Sequence, residues 1–176
     1  MHLLRFKFAA FSLLEVIIAV AIFAGAVSVL LGLLPGLTRQ SAVSADTLTA
    51  LRLPDALRVE LTRMATAGGF DALANQAKPL ATLLPDTCLL VATRDAARLH
   101  SLVYQSPPVA DHISEDSQYF LIEVWSFSDA PLAFDLRGAV LALHVRVSWP
   151  YHIPGALGVT PLAAREWVNF NLTLAR

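Results

Sequence analysis

The sequence predicts an α+β fold in which a long, kinked N-terminal helix packs on a small antiparallel β-sheet. Three observations support this prediction. The chain begins with a continuous apolar run, and the next segment has apolar residues at helical spacing. Five later segments are short, rich in aliphatic and aromatic residues, and separated by turn residues, as is typical of strands. A length of 176 residues suits one small domain with a helical extension.

The apolar run, Phe8–Leu34, predicts a transmembrane helix. As a helix it measures about 40 Å, whereas the hydrocarbon core of a bilayer is about 30 Å thick. Glu15 is the only ionisable residue within the run. Arg5 and Lys7 precede it and the next cation is Arg39, so the positive-inside rule places the N-terminus in the cytoplasm.

Glu15 distinguishes three interpretations of this segment. A carboxylate inside an apolar span costs about 2.5–3.5 kcal/mol on insertion scales, and neither a secretory signal peptide nor a plain anchor gains from that cost. The triplet Ala24-Gly25-Ala26 nevertheless resembles a signal-peptidase site, which keeps the signal peptide as an alternative. In the third interpretation, Glu15 meets an opposite charge within an assembly.

Residues 10–15, AFSLLE, resemble the cleavage and methylation motif of type IV prepilins and type II secretion pseudopilins. Ala10 stands before the cut, where the family usually has glycine, and Phe11 and Ser12 follow it. Glu15 is then the fifth residue of the mature chain. The resemblance implies that a prepilin peptidase and methyltransferase cuts between Ala10 and Phe11 and methylates the new amine of Phe11.

The same resemblance implies a role for Glu15 in assembly. In a helical bundle the amine of Phe11 of one subunit would meet Glu15 of its neighbour, and each charge would offset the desolvation cost of the other. Glu15 would then set the register between subunits. The alternative is that Glu15 reaches the nearby cytoplasmic interface by extending its side chain.

The resemblance also implies a domain organisation and a function. Residues 1–10 form a cleaved leader, 11–36 a transmembrane helix and assembly segment, 37–69 an amphipathic helix, and 70–176 a periplasmic antiparallel β domain. The protein would be a single-pass protein of the bacterial inner membrane, present as a structural subunit of a type IV pilus or a type II secretion-like filament. Its partners would be the prepilin peptidase, other pilin or pseudopilin subunits and the membrane. The alternative is a membrane-anchored or secreted periplasmic binding domain that does not assemble.

The helix is predicted to continue beyond the apolar run, with two interruptions. Pro35 predicts a kink, and Pro54 predicts a second kink or a restart. Gly68-Gly69 predicts the end of the helix. An apolar stripe and a set of charged residues largely off that stripe make the segment amphipathic. The stripe comprises Val43, Ala50, Leu51, Leu57, Leu61 and Met64, and the charged residues are Arg39, Asp46, Arg52, Arg58, Glu60 and Arg63.

The predicted strands are residues 88–94, 99–105, 119–127, 139–149 and 166–175. In the last two, apolar residues alternate with polar or small ones, which predicts an antiparallel sheet with one face on the amphipathic helix. Cys88 is the only cysteine, so the disulfide that often closes the C-terminal loop of major pilins cannot form within this chain. This favours a minor pilin or pseudopilin, with Cys88 as a small buried residue.

Composition and motifs argue against several other functions. The net charge is −1 and no basic stripe is present, so nucleic acid is not a predicted partner. No nucleophile, zinc-protease, phosphate-loop or dinucleotide motif occurs, and we predict neither enzymatic activity nor a cofactor. Asp111, Glu115 and Asp116 could offer oxygens to calcium. Their spacing matches no defined calcium loop, however, and a solvated acidic loop is the simpler interpretation.

Overall fold

The structure is a computed structural model, and it describes residues 12–77, 88–102, 113–135 and 137–176. It confirms the α+β class. Three helices run Leu13–Ala50 (α1), Leu53–Gly68 (α2) and Phe70–Gln76 (α3), and five strands run Cys88–Ala92 (β1), Leu99–Ser101 (β2), Phe120–Ser126 (β3), Val140–Trp149 (β4) and Glu166–Ala175 (β5). The chain divides into two compact units, the first ending at Ser44 and the second running from Ala45 to Arg176.

The five strands form one antiparallel sheet in the order β2-β1-β3-β4-β5. All five lie within the predicted segments, and β5 has the predicted bounds. The predicted second strand continued to residue 105, but β2 ends at Ser101, and residues 103–105 lie outside the described residues. The predicted alternation in β4 and β5 is confirmed, because the apolar set faces the core and the polar set faces outward.

The core of the second unit lies between the inner face of the sheet and the helices. Leu53, Leu57 and Leu61 of α2 are fully buried against inner-face side chains of β1, β3, β4 and β5. The predicted apolar stripe was wrong at two positions, because Val43 is 41% exposed and Leu51 is 53% exposed. α1 ends at Ala50 and α2 begins at Leu53, so the break shifts the helical phase and Leu53 is buried instead.

The prolines and glycines of the helical region have different effects. α1 continues through Pro35, and the hydroxyl of Thr38 donates to the carbonyls of Leu34 and Pro35. Pro54 occupies the first turn of α2, where its missing N–H has no intrahelical partner to lose. α2 ends at Gly68 as predicted, and Gly69 adopts a φ of 90°. This positive φ lets the chain turn directly into α3, which the sequence did not predict.

The outer face of the sheet carries ordered polar contacts. Glu123 on β3 accepts two hydrogen bonds from Arg146 on β4, at 2.6 and 2.9 Å, and these residues are register partners. At the next outer-face position along β4, Nδ1 of His144 lies 2.9 Å from Oδ1 of Asn171 on β5. A small second cluster of buried residues, comprising Val91, Ile113 and Leu121, covers another part of this face.

Candidate functional site

The longest series of exposed apolar side chains among the described residues lies on α1. Leu13 is 80% exposed and Phe23 is 70% exposed, and the exposed series continues along the helix. Within the part of the chain that the structure describes, one helix is long and apolar enough to cross a membrane, and its most apolar stretch has no buried residue. Length and composition alone fit a signal sequence equally well.

The N-terminus of this helix is capped by Ser12, which accepts hydrogen bonds from the backbone of Glu15. The backbone N–H of Glu15 donates to Oγ of Ser12 at 3.2 Å and to the carbonyl of Ser12 at 3.0 Å. Ser12 is therefore the N-cap and Glu15 the third helical residue, which is the spacing of a capping box. A carboxylate in the first turn is also favoured by the helix dipole. The Ser-x-x-Glu pattern is visible in the sequence, and the sequence-based interpretation missed its capping role.

The surroundings of Glu15 are apolar along the helix. Ala19, Val20 and Phe23 line the same surface of α1, one and two turns further on. Glu15 thus places a carboxylate at the N-terminal end of an exposed apolar face. Ala10 and Phe11, the predicted cleavage and methylation residues, lie outside the described residues, so a contact between Glu15 and an amine stays a prediction.

The last turns of α1, which belong to the second unit, are fixed by a polar cluster centred on Asp46. The sequence placed Asp46 among the charged residues off the apolar stripe, but it is only 8% exposed. Its carboxylate accepts hydrogen bonds from Nε and a terminal nitrogen of Arg94, at 2.9 and 3.0 Å, and from the hydroxyl of Tyr119 at 2.7 Å. The guanidinium carbon of Arg94 lies 4.9 Å from the centre of the Tyr119 ring.

The pKa values of Arg94 and Tyr119 are both raised in this cluster. The hydrogen bond to Asp46 raises the pKa of Arg94 above its ordinary value. Burial, and secondarily the hydrogen bond to Asp46, raises the pKa of Tyr119 to about 12. The cluster therefore holds one carboxylate, one guanidinium and one neutral phenol, and we assign it a structural role because every polar group in it has a partner.

Two of the three calcium candidates lie in the described residues. Glu115 and Asp116 lie in a short 3-10 turn, Glu115–Ser117, and both are exposed to solvent. Asp111 lies outside the described residues. Across the described ranges no three histidine, cysteine or acidic side chains come together in a way that could hold a metal ion.

Cys88 opens β1 and is buried in the main core, as the sequence predicted. Burial raises the pKa of its thiol to about 12. A thiol that stays protonated is a poor nucleophile and a poor metal ligand, so Cys88 contributes packing.

Comparison with protein-family models, with curated proteins and with solved structures gives no match to this chain.

Proposed function

We propose that this chain is a structural subunit of the pilin class, either a minor pilin or a pseudopilin of a type II secretion-like filament. One observation carries the proposal. Glu15 lies in the first turn of a long, exposed, apolar helix, three residues after the Ala10-Phe11-Ser12 sequence that resembles a prepilin cleavage site. The helix supplies a membrane span before assembly and a packing surface after it.

In this proposal the inner membrane holds the subunit, with the N-terminus in the cytoplasm and the β domain in the periplasm. A prepilin peptidase removes residues 1–10 and methylates Phe11. The cationic amine of Phe11 then pairs with Glu15 of a neighbouring subunit, and in a low dielectric this pairing offsets the cost of both charges. The exposed apolar side chains of α1 bury one another when several helices form a bundle.

The hydroxyl of Ser12 caps the helix by accepting from the backbone N–H of Glu15, and two substitutions separate this cap from the charge of Glu15. Glu15→Gln removes the charge but keeps a side chain suited to a capping box. Ser12→Ala removes the hydroxyl that accepts from the Glu15 N–H but keeps the charge. If the charge sets the register, Glu15→Gln lowers the amount of subunit in sheared filaments at least about tenfold, a loss that ~1.4 kcal/mol would produce. Ser12→Ala leaves most of the assembly intact.

The matched control is Asp55→Asn, which neutralises an exposed acidic residue in the first turn of α2. Total subunit in the membrane fraction is measured for every variant, so that loss of expression is not mistaken for loss of assembly. Wild-type filament content for Glu15→Gln would contradict the registry role of Glu15. An equal loss in Ser12→Ala would contradict a role specific to the Glu15 charge, because assembly would then depend on the capped start of α1.

A further inference from the structure

β5 is an edge strand, and it is long for an edge. It has ten residues, Glu166–Ala175, and it pairs with β4 on one side. Among the residues that the structure describes, no strand pairs with its other side. The opposite edge of the sheet, β2, has only three residues.

The register with β4 shows which backbone groups of β5 face away from the sheet. The N–H of Arg176 donates to the carbonyl of Ala139 at 2.8 Å, which continues the regular pairing of β4 with β5. Because hydrogen-bonded pairs alternate along an antiparallel ladder, the even-numbered residues of β5 bond to β4. The odd-numbered residues direct their N–H and C=O groups outward, and these are Trp167, Asn169, Asn171, Thr173 and Ala175.

This edge lacks the features that usually prevent strand pairing. Natural edge strands are often protected by lysine, proline, bulges or short length. Between Glu166 and Arg176 the chain has no charged residue and no proline, and the register is unbroken. An unprotected edge of this length is suited to accept another strand.

We propose that β5 pairs antiparallel with β5 of a second copy of this chain, about a two-fold axis at Asn171. The sequence of β5 is complementary to itself in this register. Glu166 of one copy lies opposite Arg176 of the other, so opposite charges meet at both ends. Arg176 also donates to Asp71 within its own copy, at 3.0 and 3.1 Å, and its guanidinium would lie between two carboxylates.

Side chains between the two ends also match. On the inner face, apolar residues meet apolar residues, namely Val168 with Leu174 and Phe170 with Leu172. On the outer face, the uncharged pairs are Trp167 with Ala175, Asn169 with Thr173, and Asn171 with itself. A shift of the axis by one residue toward either end places Glu166 opposite Leu174 or Arg176 opposite Val168. The charged pairs therefore select one register.

The pairing would also extend a polar row across the sheet. The Trp125 ring stacks on the His144 ring at 6.0 Å, and His144 contacts Asn171. In the proposed register the row continues through Asn171 of the second copy to its own His144. A two-fold pairing occupies the open edge of β5 in both copies, so the assembly through this edge stops at a dimer. This inference depends on β5 alone and does not rest on membrane insertion or on the proposed function.

The test is disulfide cross-linking of the full chain in detergent, with single cysteines on the outer face of β5. Hydrogen-bonded partners have Cα atoms about 5.5 Å apart, which is within the range that a disulfide accepts. Asn171→Cys is therefore expected to form a disulfide-linked dimer at least about tenfold faster than Asn169→Cys. The two cysteines at position 169 would be about four residues apart along the paired strands, which is too far for a disulfide. A mixture of Asn169→Cys and Thr173→Cys chains is expected to cross-link to each other.

Asn169→Cys is the matched control, since it lies on the same strand and the same face and is also exposed. The wild-type chain controls for Cys88, which is buried. Equal cross-linking of Asn171→Cys and Asn169→Cys, or faster cross-linking of Asn169→Cys, would overturn the proposed register. Absence of a disulfide-linked dimer from Asn171→Cys in chains with wild-type tryptophan fluorescence would overturn the pairing itself.

Discussion

The carboxylate of Asp46, near the end of α1, accepts two hydrogen bonds from the guanidinium of Arg94, at 2.9 and 3.0 Å, although the residues are 48 positions apart in the chain. Arg94 lies in the connection between β1 and β2, and Tyr119, the residue before β3, adds a third hydrogen bond. These contacts fix the last turns of α1 to the segments that adjoin β1 and β3.

Asp46→Ala is expected to lower the free energy of unfolding of the second unit by about 2 kcal/mol, because hydrogen bonds to charged groups contribute more than neutral ones. Arg94 is largely exposed and water can solvate it after the change, which keeps the cost below that of a fully buried pair. Denaturant unfolding followed by tryptophan fluorescence measures the effect. Arg63→Ala, which breaks the surface pair with Glu60, should change stability by about 0.5 kcal/mol or less. Equal effects of the two substitutions would show that the Asp46 cluster does not anchor the helix.

Tyr119 makes stability depend on pH in the alkaline range. In the folded protein burial and the hydrogen bond to Asp46 raise its pKa to about 12, from 10.0. The unfolded chain releases the phenol proton first, so the stabilisation is complete below pH 10 and decreases as the pH rises toward 12. Tyr119→Phe should flatten the stability curve between these values. Denaturant unfolding at a series of pH values measures the free energy of unfolding as a function of pH. If this free energy decreases as steeply in Tyr119→Phe as in the wild type, Tyr119 is not the cause.

α2 contributes three fully buried leucines to the core, and Leu57 is one of them. Leu57→Ala is expected to cost about 2–5 kcal/mol, from lost burial and the cavity that remains. Val59→Ala is the matched control on the same helix, because Val59 is 71% exposed and its truncation should change stability by about 0.5 kcal/mol or less. A small effect at Leu57 would mean that α2 does not pack on the sheet as the structure shows.

Local patterns predicted most of the fold. Enrichment in aliphatic and aromatic residues predicted all five strands. Alternation of apolar and polar residues also predicted which faces of β4 and β5 are buried. Proline and glycine marked the start and end of α2 for the same local reason. Pro54 indicated a kink or a restart, but it did not indicate the change of helical phase that exposes Leu51 and buries Leu53. α3 was missed because two glycines indicate an end and do not show that another helix follows.

Contacts between distant segments could not be predicted. The partner of Asp46 is Arg94, and nothing in the local sequence of either residue indicates the other. At the N-terminus the situation was different. The Ser12-x-x-Glu15 spacing is a local pattern, so the N-terminal cap was predictable from the sequence. The open side of β5 was not predictable locally, because it depends on the register with β4.

The most direct test of the proposed function is the mass and N-terminal sequence of the protein from membranes of cells with and without a prepilin peptidase. A mature chain that begins at Phe11, carries one additional methyl group and occurs only with the peptidase is the expected result. A chain that begins at Val27 would show cleavage by signal peptidase and would contradict the proposal. An intact chain beginning at Met1 in both kinds of cell would also contradict it, because residues 1–10 would then not be a cleaved leader.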